Sequence, residues 1–148
     1  MYEDHLTNTP SGGSFGIRSI IEDKHGKFWF CKTRHRYVID PKGAPEKGKG
    51  LINYNKEAGM GDVKAADGND IYYLSIIEDK KGDLWMATYR DGAWRYDGKT
   101  MTHYPIQDGG KDIKLYSVYQ DNQGNLWLGT HDGGAYRLNG KTFEKFRP

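Results

Sequence analysis

Cysteine is almost absent from this sequence: Cys31 stands alone among 148 residues. One thiol excludes an intramolecular disulfide framework and is compatible with a reducing compartment. Long apolar runs are missing too, and the mean hydropathy is -0.88, so no membrane span is expected. Neither sign of charge dominates. Lys and Arg number 22 against 20 Asp and Glu, leaving +2 and no basic field for nucleic acid. The opening stretch MYEDHLTNTPSGG carries neither the basic region nor the apolar run of a secretory signal. It implies a cytoplasmic protein if Met1 is the native start and an extracytoplasmic one if a signal has been removed.

Glycine and aromatic residues are plentiful. Twenty Gly, eleven Tyr, five Phe and four Trp stand against only five Pro. That balance favours many short strands joined by tight turns over long helices.

Three segments align without a gap. They are SIIEDKHGKFWFCKTRHRYVID from Ser19, SIIEDKKGDLWMATYRDGAWRYD from Ser75 and SVYQDNQGNLWLGTHDGGAYRLN from Ser117. Each copy repeats a Ser, an Asp (Asp23, Asp79, Asp121), a Gly (Gly26, Gly82, Gly124) and a Trp (Trp29, Trp85, Trp127). The tryptophans stand 56 and 42 residues apart. The shorter spacing falls in the range of propeller blades, about 40–50 residues. Strand a carries Ile20-Ile21, Ile76-Ile77 and Val118-Tyr119, and strand b carries Leu84-Trp85-Met86 and Leu126-Trp127-Leu128. Strands apolar on both faces belong to a sheet buried on both faces. Asp97-Gly98 and Asn139-Gly140 are hairpin turns between strands c and d. The expected fold is all-β: a β-propeller built of four-stranded antiparallel blades, three per chain. The blades are expected at about 15–55, 72–105 and 115–147.

The segments Ile76-Ile77-Glu78-Asp79, Gly82, Leu84-Trp85-Met86-Ala87-Thr88 and Leu126-Trp127-Leu128-Gly129-Thr130 resemble the two-component regulator propeller repeat. The first copy departs from that pattern: Lys32 replaces the Thr, Cys31 the small residue, and Arg36 the Gly seen as Gly92 and Gly134. The resemblance implies a sensory, ligand-binding propeller of bacterial regulators, some of which respond to carbohydrates. It implies a sensor-like or scaffolding role and does not imply a catalytic site.

Propellers close with about four to eight blades, so three repeats leave two blade faces uncovered. The expected partner is a second copy, with a homodimer completing a six-bladed ring by two-fold symmetry. A small-molecule or carbohydrate ligand, or a protein partner, is expected at the ring.

The loops between strands b and c share one face of a propeller. They gather Arg34, His35 and Arg36 in the first copy, Tyr89, Arg90 and Asp91 in the second, and His131 and Asp132 in the third. Arg forks and aromatic faces suit sugars, carboxylates or phosphates. Trp94 joins these candidates because its equivalents are Val38 and Tyr136, so the repeat does not demand it. No cofactor is expected: phosphate loops and nucleophile elbows are both missing. The enzymatic alternative is a metal-dependent lyase or hydrolase on the axis, using His35, His131, Asp91 and Asp132. Cys31, equivalent to Ala87 and Gly129, reads as a buried inert thiol.

Overall fold

The structure, a computed structural model, describes residues 18–30, 37–39, 64–65, 68 and 73–148. The first sheet contains β1 (Ile20–Glu22), β2 (Phe28–Phe30) and β3 (Tyr37–Ile39). The second contains β4 (Tyr73–Glu78), β5 (Leu84–Thr88), β6 (Ala93–Tyr96) and β7 (Met101–Tyr104). A small hairpin follows, β8 (Gln107–Asp108) with β9 (Lys111–Asp112). The third sheet contains β10 (Leu115–Gln120), β11 (Leu126–Thr130), β12 (Ala135–Asn139) and β13 (Thr142–Lys145). In every sheet each strand pairs antiparallel with the next in sequence, so each is a meander. Among the described residues there is no helix. The fourth strand expected in the first blade and Cys31 lie outside the described residues, as does most of the two long loops between residues 41 and 70.

The repeated anchors build the turns. Asp79 Oδ1 accepts from the backbone N–H of Lys81 at 2.8 Å and of Asp83 at 2.9 Å, while Oδ2 accepts from the Trp85 indole N–H at 2.9 Å. Asp23 and Asp121 take the indole protons of Trp29 and Trp127 at 2.7 and 2.9 Å. One carboxylate thus folds the turn and fixes the ring on the following strand. Gly82 supplies the positive φ of 88° that this turn requires.

Strand register divides each sheet into two apolar faces. In the second blade Ile77 pairs with Trp85 and Trp85 with Arg95, while Ile76 pairs with Met86 and Met86 with Trp94. The Ile76 face packs on Trp29 of the first blade, in a cluster with Leu84 and Trp94. The Trp85 face packs on Val118, Leu126, Leu128 and Tyr136 of the third blade. The blades therefore stack face to face, and β5 is buried along its whole length. Phe143 meets Trp85 and Tyr104 edge-on, with ring centroids at 6.0 and 5.8 Å. The repeated serines join neighbouring blades: Ser19 Oγ accepts from Ile76 N–H at 3.2 Å, and Ser75 Oγ from Val118 N–H at 3.3 Å.

Candidate functional site

The b–c turns are shaped by the threonine that ends strand b. Thr88 Oγ1 accepts from Asp91 N–H at 2.9 Å and donates to the Gly92 carbonyl at 2.7 Å. Thr130 repeats this with Gly133 N–H and the Gly134 carbonyl at 2.9 and 2.6 Å. Each hydroxyl satisfies its turn internally, so the intervening side chains are free to project. They are Tyr89 and Arg90 in one turn, and His131 and Asp132 in the other.

The start of the third blade completes the cluster. His131 N–H donates to the Lys114 carbonyl at 2.9 Å, which fixes the turn beside the connector after β9. Tyr116, 45% exposed, meets His131 edge-on at 5.4 Å and lies 6.5 Å from Tyr89. The Arg90 guanidinium and the Lys114 ammonium both approach the Tyr89 ring, at 5.4 and 5.6 Å from its centroid. Three aromatic rings and two cations therefore share one edge of the second and third blades. Asp132 lies 3.8 Å from His131 Nδ1 and is largely exposed.

The structure thus brings Tyr89, Arg90, His131 and Asp132 together. It places two other candidates elsewhere. Trp94 is buried in the core between the first and second blades, where its indole N–H donates to Asp91 Oδ2 at 2.9 Å. Its ring stacks on His103 at 4.4 Å and 20°. His103 Nε2 lies 2.8 Å from the Asp91 carbonyl oxygen. Asp91 and Trp94 therefore help to hold the second blade. Arg34, His35 and Arg36 lie outside the described residues. Lys114 and Tyr116 join this cluster although the repeat pattern does not single them out. Tyr116 directly precedes the repeated Ser117, where the other copies place Arg18 and Leu74. That divergence beside a fixed anchor was the available signal.

Among the described residues no group of three or more His, Cys, Asp or Glu lies close enough to hold a metal ion. No helix among them is long and apolar enough to cross a membrane. At the opposite edge of the sheets a cleft of about 250 Å³ opens between the first two blades, lined by Asp23, Lys24, Glu78, Leu84, Tyr96 and Asp97. Its walls are turn residues already engaged in joining those blades: Lys24 N–H donates to Glu78 Oε2 at 2.7 Å.

Four-stranded antiparallel meanders stacked face to face, with one repeat per sheet, define blades of a β-propeller. Residues 67–90 and 109–132 match the family described as "Two component regulator propeller". These two segments, in the second and third blades, therefore carry the two component regulator propeller repeat. The divergent first copy is not matched.

The chain is similar to the extracellular domain of a protein assigned as a hybrid two component system from B. thetaiotaomicron. That likeness has 18% identity and a TM-score of 0.60, and covers 95% of this chain and 16% of that one. It is also similar to the extracellular domain of a protein assigned as a one component system from the same organism. There the identity is 28% and the TM-score 0.57, over 91% of this chain and 17% of that one. A streptogramin B lyase shares the fold at 19% identity and a TM-score of 0.58, over 87% of this chain and 39% of the lyase. The chain thus spans about a sixth of the two extracellular-domain chains it resembles. No curated protein matches it.

Proposed function

We propose that this propeller segment is a non-catalytic, sensor-like binding module. Its ligand is a carbohydrate or small anion held by Tyr89, Arg90, Lys114, Tyr116 and His131. The observation that carries this reading is the placement of Arg90 and Lys114 over one face-forming ring, beside two further aromatic rings. Aromatic faces stack on the apolar faces of sugar rings, and Arg and Lys attract carboxylate or sulfate groups. A saccharide carrying an acidic group uses both features at once. Repeat membership supports the same reading. The Asp and Trp that the blades share are engaged in folding, so ligand contact falls to residues that differ between copies.

The extracellular origin of the two regulator domains supports an extracytoplasmic placement, which protease accessibility on intact cells would check. Calorimetric titration with acidic and neutral oligosaccharides of equal length tests the ligand class. Binding is expected for the acidic set, with a loss of about tenfold or more in Tyr89→Ala. Equal binding by Tyr89→Ala and the parent chain would remove this site from the proposal. Metal analysis of the purified protein tests the lyase or hydrolase alternative.

A further inference from the structure

Strands c and d of the second and third blades form the same clamp. Trp94 pairs with His103 across β6 and β7, and Tyr136 with Lys145 across β12 and β13. Trp94 and Tyr136 each stand opposite the middle residue of strand b, Met86 and Leu128, so the two pairs occupy equivalent positions. Each pair grips one aspartate. Asp91 Oδ2 accepts from the Trp94 indole N–H at 2.9 Å, while His103 Nε2 lies 3.5 Å from Asp91 Oδ1 and 2.8 Å from its backbone carbonyl oxygen. Asp108 Oδ2 accepts from the Lys145 ammonium at 3.1 Å and from the Tyr136 hydroxyl at 3.5 Å. The Lys145 ammonium holds the Asp108 carboxyl below its usual range.

The two aspartates come from different loops. Asp91 belongs to the b–c turn of its own blade. The third blade has Gly133 at that position. A Cβ there would already meet Ile113 Cγ2 and Tyr136 Cε2, both at 3.7 Å. Ile113 directly follows β9, so the β8–β9 segment fills this place and brings Asp108 to the clamp. Both gripped loops carry a cation of the ligand cluster. Arg90 immediately precedes Asp91. Lys114 follows the hairpin that holds Asp108, and the Ile113 N–H ties its base to the Ile106 carbonyl at 3.0 Å. The two cations meet at one ring, 5.4 and 5.6 Å from the Tyr89 centroid.

We propose that Asp91 and Asp108 are positioning residues of the ligand cluster: held by the c–d clamp, they set Arg90 and Lys114 over the Tyr89 ring. The consequence for affinity rests on the reading of that cluster as an anion site, whereas the placement of the two cations does not. The sign of the effect on binding separates positioning from charge. Deleting a carboxylate beside an anion site removes a repulsion, so Coulomb's law alone makes the anion bind more tightly. Loss of positioning weakens binding, because the ligand must order the freed side chain.

Proton NMR of the unliganded chain reads the placement directly, because the ring current of Tyr89 shifts side-chain protons over its face upfield. Asp91→Ala is expected to abolish that shift at Arg90, and Asp108→Ala at Lys114, with the rest of the spectrum folded. Tetragalacturonate, titrated calorimetrically, is expected to bind each variant about three- to tenfold more weakly than the parent chain, the cost of ordering one loose side chain. Asp91→Asn keeps an acceptor for the Trp94 indole and is expected to retain both the shift and the affinity. Asp108 is exposed, so its variant keeps the test open if Asp91→Ala fails to fold. An unchanged ring shift in either folded alanine variant overturns the proposal. Tetragalacturonate binding as tight as the parent's, or tighter, does the same, as does an Asp91→Asn variant that falls as far as Asp91→Ala. If the parent chain binds no tetragalacturonate, the acidic-saccharide reading fails, and the ring shifts alone decide the positioning.

Discussion

The hydroxyl of Ser75 accepts a hydrogen bond from the backbone N–H of Val118 at 3.3 Å, fastening strand a of one blade to strand a of the next. Val118 is buried at that point, so water offers its N–H no ready replacement. Removing the acceptor leaves a buried donor unpaired, which costs about 1–3 kcal/mol. Ser75→Ala should lower the unfolding midpoint in urea accordingly. The slope of the transition should stay unchanged, because the folded surface is the same. An unaltered midpoint would show that this serine does not join the blades.

Asp79 should matter more. It is buried and accepts from two backbone N–H groups and the Trp85 indole. Asp79→Ala breaks all three bonds and loosens a tryptophan at the centre of the interblade core. The expected loss is about 3–5 kcal/mol, in the range that marks failure of a buried network. Urea unfolding followed by tryptophan fluorescence measures it, and a loss below about 1 kcal/mol would contradict the role assigned to this carboxylate.

Much of this architecture was legible because each repeat anchor has one local duty. The Asp, Gly and Trp of every copy fold a turn and orient a ring within a few residues of each other. Sequence spacing therefore exposed them directly. The doubly apolar strands likewise announced burial on both faces. The Asp97-Gly98 dipeptide, read as a hairpin turn, does lie between strands c and d of the second blade. The site was harder. Asp91 and Trp94 sit in a loop and strand that the sequence marks as variable, but Trp94 turns inward to stack on His103, nine residues away on the neighbouring strand. Lys114 and Tyr116 reach the cluster only because the β8–β9 hairpin swings the chain back to the b–c turns. No local pattern encodes that placement.

Gly92 and Gly134 occupy the same turn in two blades, with φ of 61° and 83°. Their surroundings differ. A Cβ on Gly92 would collide with the Tyr104 carbonyl oxygen, whereas nothing lies within 4 Å of a Cβ on Gly134. Gly134→Ala should cost only the left-handed backbone strain, about 1–2 kcal/mol. Gly92→Ala adds a backbone collision that cannot relax by a side-chain rotation, and should cost at least about 2 kcal/mol more. Thermal melts of the two variants would check the difference, and equal losses would mean the second blade yields at that contact.

Acid should weaken the fold through the same turns. The Trp127 indole N–H holds the Asp121 carboxyl down to about 2; burial opposes it, and the Asn125 side chain and backbone N–H add to the lowering. At Asp23 burial pushes the carboxyl up, but hydrogen bonds from Trp29, Lys27 and His25 outweigh it and leave it below the usual range. An unfolded aspartate titrates near 3.9. A carboxyl whose folded value lies lower binds fewer protons when folded, so its stabilisation is complete above about pH 4 and fades toward pH 2. Urea midpoints should therefore be insensitive to these groups near neutrality and should fall steeply below about pH 4. Asp121→Asn should start from a lower midpoint at pH 7 and lose less on acidification. If its decline matched that of the parent chain, the acid sensitivity would have to come from carboxylates other than Asp121.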